Sequence, residues 1–116
     1  MDEKEKRKLE RELSKLSFVE IINSFKHLSN DQLFDLEDVM SDRIVGKKLD
    51  HEWYDPKTCK TVLYIGRVEK VNKRKNDLIY TISYWKDDET DIEAVDYCMK
   101  KIQLVADVVS GELKFN

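Results

Sequence analysis

Three stretches of the chain decide its fold: VGKKLDHEWY (residues 45–54), TVLYIGRVEKV (residues 61–71) and LIYTISYW (residues 78–85). In each stretch apolar and aromatic residues recur at every second position, so they share one face of an extended strand. A period of two, repeated three times, predicts antiparallel strands with aromatic side chains at their ends. The three alternating sets are Leu49, His51 and Trp53; Val62, Tyr64 and Val68, with Gly66 between them; and Leu78, Tyr80, Ile82 and Tyr84.

The residues between these stretches are typical of turns. DPKT (residues 55–58) holds the only proline, and NKRKND (residues 72–77) holds no apolar residue. The second segment predicts a hairpin loop longer than the minimal two residues. Gly66 within its strand predicts a bulge, a bend or a close approach of another group. A small, strongly bent sheet accommodates all of these features.

The same segments resemble one Tudor-like repeat of the Spindlin family. The similar motifs are VGKKLDHEW, LYIGRV, IYTISY and the closing LVADVVSGEL. The resemblance implies a nuclear, chromatin-associated protein with a small SH3-like barrel that binds methylated lysine on a histone tail through an aromatic cage. By position this cage would include Trp53, Tyr64 and Tyr84, with Tyr97 as the fourth wall if a gap is placed in the alignment.

Residues 1–44 show helical patterns instead. Asp2 and Lys6, and Glu3 and Arg7, are oppositely charged pairs four residues apart, which suits a solvated helix with a narrow apolar stripe. Ser followed three residues later by Glu or Gln occurs at positions 17 and 29, which predicts two further helix starts with capping boxes. The last helix is expected to stop near Gly46. The chain is therefore predicted to be α+β, with a helical arm at residues 1–44 and a Tudor-like barrel at residues 45–116.

The predicted arm has a broad apolar face, for which two roles stay open. It either packs against the barrel or forms a homodimer or a partner-binding surface. The residues of this face are Phe18, Ile22, Phe25, Leu33 and Leu36.

Charge is unevenly distributed, although the formal net charge is only −3. An acidic run directly after Tyr84 and Trp85 is expected to form a rim that attracts a basic peptide, or else a solvated loop. A basic cluster on the predicted hairpin either contacts nucleic acid weakly or is solvated. The acidic rim is Asp87, Asp88, Glu89 and Asp91, and the basic cluster is Lys70, Lys73, Arg74 and Lys75.

No residue pattern indicates catalysis, a metal site or a cofactor. The chain has three glycines and no Gly-rich phosphate loop, and Cys59 and Cys98 match no metal-ligand spacing. We expect Cys98 to be buried and His51 to be a hydrogen-bonded structural histidine rather than a base. No apolar run is long enough to span a membrane.

Two functions are therefore predicted for a non-enzymatic protein. The first is a methyl-lysine reader that uses the aromatic cage, and the alternative is an interaction scaffold that uses the helical arm. The feature that separates them is whether the aromatic side chains are accessible or covered by neighbours such as Met99.

Overall fold

The computed structural model describes residues 2–86 and 95–116, which form three N-terminal helices and an antiparallel sheet with a fourth helix before its last strand. The helices are α1 (Glu3–Leu13), α2 (Phe18–Ser24), α3 (Asn30–Met40) and α4 (Lys101–Ser110). The strands are β1 (Lys48–Asp55), β2 (Lys60–Arg74), β3 (Asp77–Lys86), β4 (Val95–Lys100) and β5 (Leu113–Phe115). The predicted α+β class and antiparallel sheet are confirmed.

The five strands form one open sheet in the order β4-β3-β2-β1-β5. All four neighbouring pairs are antiparallel, and the short β5 returns to pair with β1. The long strand β2 pairs with β1 through its first half and with β3 along most of its length, and its register with β3 shifts between Val68 and Lys70. A shift of this kind bends the strand, so the sheet is bent at its centre.

The hairpin between β2 and β3 corrects the predicted loop. Strand β2 continues to Arg74 and β3 starts at Asp77, so only Lys75 and Asn76 form the turn. Lys75 has a positive φ of 53°, which tight two-residue hairpins require. The polar residues that indicated a longer loop instead extend the two strands, because cross-strand hydrogen bonds do not need apolar side chains.

The N-terminal helices start where their sequence signals predict. Ser17 caps α2 and Ser29 caps α3, each with a complete capping box. The third helix ends at Met40, earlier than the expected stop near Gly46. Ile44 lies beyond that end and is fully buried, so its apolar spacing reflects packing of a loop rather than a further helical turn.

Helix α4 was not predicted, because its sequence was interpreted as the closing motif of a barrel. Residues 104–109 are all buried, and a short apolar run of this length is consistent with either a buried strand or a buried helix. It ends at Ser110, and the next residue, Gly111, has a φ of 83° and forms the left-handed C-cap. Both α1 and α3 pack against it.

Helices and sheet share one core. Leu13, Ile21 and Leu36 of the N-terminal segment are buried with Ile82 of β3 and Leu104 of α4. Leu36, which was assigned to a partner surface, is fully buried within its own chain. Within the described ranges, no helix is long and apolar enough to cross a membrane.

Candidate functional site

Four aromatic side chains, one from each of strands β1 to β4, line a single cavity of about 310 Å³. They are the four residues that the sequence singled out, namely Trp53, Tyr64, Tyr84 and Tyr97, and Val95 completes the lining. The structure therefore brings together side chains that are up to 44 residues apart in the chain, from 53 to 97.

Strand register explains why these rings meet. Tyr64 lies opposite His51, two residues before Trp53; Tyr84 lies opposite Gly66, two residues after Tyr64. Tyr97 lies opposite Ile82, two residues before Tyr84. Residues that pair directly, and residues two apart on one strand, point to the same side of a sheet. All four rings consequently lie on one face.

The rings stand nearly perpendicular to one another and form the walls of a box. The Trp53 and Tyr84 ring centroids are 5.9 Å apart at an angle of 88°, and those of Trp53 and Tyr97 are 5.3 Å apart at 74°. Tyr64 meets Tyr84 at 6.5 Å and 78°. Edge-to-face contacts of this kind stabilise the arrangement and leave ring faces available to the cavity.

Accessibility differs from wall to wall. Tyr97 is 48% exposed, Trp53 and Tyr64 are half-buried, and Tyr84 is only 6% exposed. Tyr84 therefore forms the inner wall and Tyr97 the outer one. Met99, the neighbour that would cover the rings in an interaction scaffold, is buried beside the Tyr84 hydroxyl and does not line the aromatic cavity.

Gly66 allows the inner wall to lie where it does. A Cβ atom at this position would come within 2.9 Å of Tyr84 Cδ1 and 3.1 Å of Ile82 Cγ2. A bulge, a bend or a close approach of another group was predicted at this glycine, and the short distances to Tyr84 and Ile82 correspond to a close approach.

A buried network of hydrogen bonds lies behind Tyr84. The Tyr84 hydroxyl is 2.7 Å from Nδ1 of His51, and Nε2 of His51 is 2.7 Å from Oδ2 of Asp107 on α4. His51 is completely buried and hydrogen-bonded through both ring nitrogens, as predicted for a structural histidine. Its ring also packs against Trp53, with centroids 4.5 Å apart.

Lys6 of helix α1 extends this hydrogen-bond network to the surface. Lys6 Nζ forms ion pairs with Asp107 Oδ1 at 2.9 Å and with Glu112 Oε2 at 2.7 Å. Burial alone would lower the pKa of Lys6, but the hydrogen bond with Glu112 and the charge of Asp107 raise it, so the ammonium stays protonated. Burial, together with the negative charge of Asp107, raises the pKa of Tyr84, so the phenol stays neutral.

A second cavity, of about 490 Å³, adjoins the aromatic one and shares Trp53 and Tyr97 with it. Lys6 and Arg7 contribute positive charge to its lining, and both are engaged in ion pairs with acidic residues. Burial and the nearby Asp107 raise the pKa of Glu10. The acidic residues of this lining are Asp2, Glu3, Glu10, Glu52, Asp107 and Glu112.

Other predicted residues fall elsewhere. The acidic rim of Asp87, Asp88, Glu89 and Asp91 lies outside the described residues. The basic cluster extends along the exposed end of β2 and its turn. Cys98 is exposed, contrary to the expectation of burial, because it alternates with the buried Met99 on edge strand β4. Residues 2–86 and 95–116 contain no group of three metal-ligating side chains.

Sequence reasoning missed the parts of the site contributed by α1 and α4. Asp107 appeared only as the Asp of a closing motif, and Lys6 only as a partner of Asp2. The signal available for Asp107 was a single carboxylate within the apolar run LVADVV, where an ionised group needs a buried partner.

Comparison with known proteins adds no family. No family model, curated protein or solved structure matches this chain.

Proposed function

We propose that this protein is a chromatin-associated, nuclear reader that binds methylated lysine of a histone tail in the aromatic cavity. The observation that carries the proposal is the convergence of Trp53, Tyr64, Tyr84 and Tyr97 on one open cavity of about 310 Å³. The resemblance of residues 45–116 to a Tudor-like repeat supports it.

The chemistry of the cavity suits a methylated ammonium. Methylation removes hydrogen-bond donors and so reduces the cost of desolvating the cation, while the faces of the rings attract its positive charge. Nearly all of the cavity surface is apolar, so little hydration is lost when a methylated ammonium enters. Acidic residues of the adjoining cavity would attract the basic residues that flank such a lysine. The proposed role is binding, without a catalytic step.

Calorimetric titration with synthetic histone-tail peptides tests the proposal. A peptide array selects the site, and matched peptides with unmodified and trimethylated lysine are then titrated into the intact chain. We expect the trimethylated peptide to bind more tightly. Tyr64→Ala should weaken binding by about two- to thirtyfold, since a ring that faces a cation contributes on the order of 0.5 to 2 kcal/mol.

The matched control is Leu63→Ala. Leu63 is the neighbour of Tyr64 on β2, is exposed and lines neither cavity. It should leave the affinity unchanged, and circular dichroism should show both variants folded. Equal affinity for unmodified and trimethylated lysine, or a folded Tyr64→Ala protein that binds as well as the parent, would refute the proposal.

The alternative is an interaction scaffold, and the exposed apolar residues of the N-terminal helices favour it. Phe34 is 66% exposed and Val19 is 63% exposed. With Leu36 buried, the proposed partner surface consists of Phe18, Ile22, Phe25 and Leu33, which are half-buried, together with Phe34. Light scattering at micromolar concentration measures self-association, and Phe34→Ser should reduce it. A protein that stays strictly monomeric, and whose N-terminal helices bind no peptide, would contradict this alternative.

A further inference from the structure

The aromatic cavity is connected to helix α1 by an uninterrupted set of short polar contacts. From the surface inward these join Lys6 to Asp107, Asp107 to His51, and His51 to Tyr84, with distances of 2.9, 2.7 and 2.7 Å. Asp107 and His51 are almost completely buried, so water does not replace these partners.

The charge at the outer end determines the direction of every hydrogen bond. Lys6 stabilises Asp107 as a carboxylate, and a carboxylate can only accept hydrogen bonds. Nε2 of His51 therefore carries a hydrogen, and in the neutral imidazole Nδ1 is then the acceptor. The Tyr84 hydroxyl then donates its single hydrogen to Nδ1, in preference to the more distant Met99 Sδ at 3.6 Å.

This direction has two consequences for the cavity. The ring of Tyr84 is held in one orientation between its hydroxyl anchor and the backbone of Gly66. A phenol that donates its hydrogen is also richer in electrons than one that accepts a hydrogen bond, so its ring attracts a cation more strongly. The packing of His51 on Trp53 connects the same chain to a second wall.

We propose that Lys6, Asp107 and His51 are positioning residues that set the orientation and cation affinity of the Tyr84 ring through this buried chain of contacts. This inference rests on the proposed function, in which the ligand of the cavity is a methylated lysine. Helix α1 is accordingly part of the binding site although it contributes no aromatic wall.

The direction in which peptide affinity changes when Lys6 is replaced distinguishes a positioning role from a simple effect of charge. Lys6 lines the second cavity, which shares Trp53 and Tyr97 with the aromatic one, so removing its positive charge would, by electrostatics alone, favour a cationic ligand nearby. Positioning predicts the opposite. Without Lys6 the buried carboxylate of Asp107 lacks its cation, and the uncompensated charge favours a rearrangement that disturbs the hydrogen bonds to His51 and Tyr84.

Calorimetric titration of variants of the intact chain with the trimethylated peptide tests the inference. We expect Lys6→Met to weaken binding by about fivefold, a modest coupling between sites. Lys6→Arg, which keeps the charge, should restore most of the affinity. Lys8→Met removes the same charge from an exposed position on the same helix and should leave binding unchanged or slightly tighter. A Lys6→Met protein that binds as well as the parent or better would overturn the inference.

A second measurement does not depend on the ligand. The ring nitrogen chemical shifts of His51, from NMR of the unliganded protein, report which nitrogen carries the hydrogen. The parent should show Nε2–H, and Lys6→Met should alter these signals whereas Lys8→Met should not. If the parent binds no methylated peptide, the proposed function fails, and unchanged His51 signals in Lys6→Met would overturn the positioning role separately.

Discussion

Gly66 leaves the space that the Tyr84 ring, the inner wall of the aromatic cavity, occupies. It lies on β2 opposite Tyr84, and its missing side chain leaves room for the Tyr84 ring to cross the strand. Because the hydroxyl of Tyr84 is anchored on His51, the ring cannot move away without losing a buried hydrogen bond.

At this scale we predict that Gly66→Ala destabilises the protein by about 1–3 kcal/mol, a cost typical of overpacking. The added Cβ would lie 2.9 Å from Cδ1 of Tyr84, closer than real Cβ contacts, so the ring or the strand would have to shift. Urea unfolding measures the free-energy change. In a double-mutant cycle with Tyr84→Leu the penalty should shrink, because the ring that causes the clash is gone. Full additivity would show that the ring is not responsible.

At the scale of elements, Gln32 connects two helices. Its side-chain oxygen accepts a hydrogen bond from Ser29 N and completes the capping box of α3. Its amide nitrogen donates to the carbonyl oxygens of Val108 and Val109, at 3.1 and 3.3 Å, near the end of α4. One side chain thus satisfies backbone groups at the start of one helix and at the end of another.

Two substitutions separate these roles. Gln32→Glu keeps the acceptor of the capping box but loses the donor, and it places negative charge beside the carbonyl end of α4. We expect a loss of about 1–3 kcal/mol in unfolding free energy. Ser29→Ala removes only the N-cap of α3 and should cost about 1 kcal/mol. Chemical denaturation of both variants checks this, and a Gln32→Glu protein as stable as the parent would show that α4 does not need this donor.

At the scale of the whole molecule, Asp42 joins the N-terminal segment to the sheet and to α4. Its Oδ1 accepts hydrogen bonds from the Tyr80 hydroxyl at 2.7 Å and from Lys101 Nζ at 2.9 Å. Partial burial opposes ionisation of Asp42, but these two hydrogen bonds outweigh it and lower the pKa of the carboxyl below its usual 3.8. The pKa of the Tyr80 phenol is raised, first by burial and then by Asp42.

The contribution of Asp42 to the free energy of unfolding depends on pH. An aspartate whose pKa is lowered by folding stabilises the native state above the unfolded value of 3.8, and this contribution is lost as pH falls through the folded value. We predict that Tyr80→Phe lowers the free energy of unfolding by about 1 kcal/mol at neutral pH. This value is at the low end for a hydrogen bond to a charged acceptor, because Asp42 is partly exposed. The difference between parent and variant should narrow below pH 3.8. Tyr54→Phe, on an exposed tyrosine, serves as the control, and a difference that widens in acid would contradict the assignment.

The features that the sequence determined by itself are those carried by short-range spacing. Alternation along β1, β2 and β3 placed each of Trp53, Tyr64 and Tyr84 on the apolar face of its own strand, and the Ser-x-x-Glu and Ser-x-x-Gln spacings located the starts of α2 and α3. These patterns are readable because side-chain direction and helix capping depend on residues within a few positions of one another.

Only the tertiary structure decided what lies behind the aromatic wall. Local spacing pairs Lys6 with Asp2, yet Lys6 contacts Asp107 and Glu112, because a buried carboxylate needs a cation more than a solvated one does. Helix α4 has six consecutive buried residues, 104–109, because other elements pack around it, so its sequence reads as a short apolar run that a strand could equally well form. The connection from α1 to Tyr84 joins residues from four distant segments, and only the packing of the helices on the sheet brings them into contact.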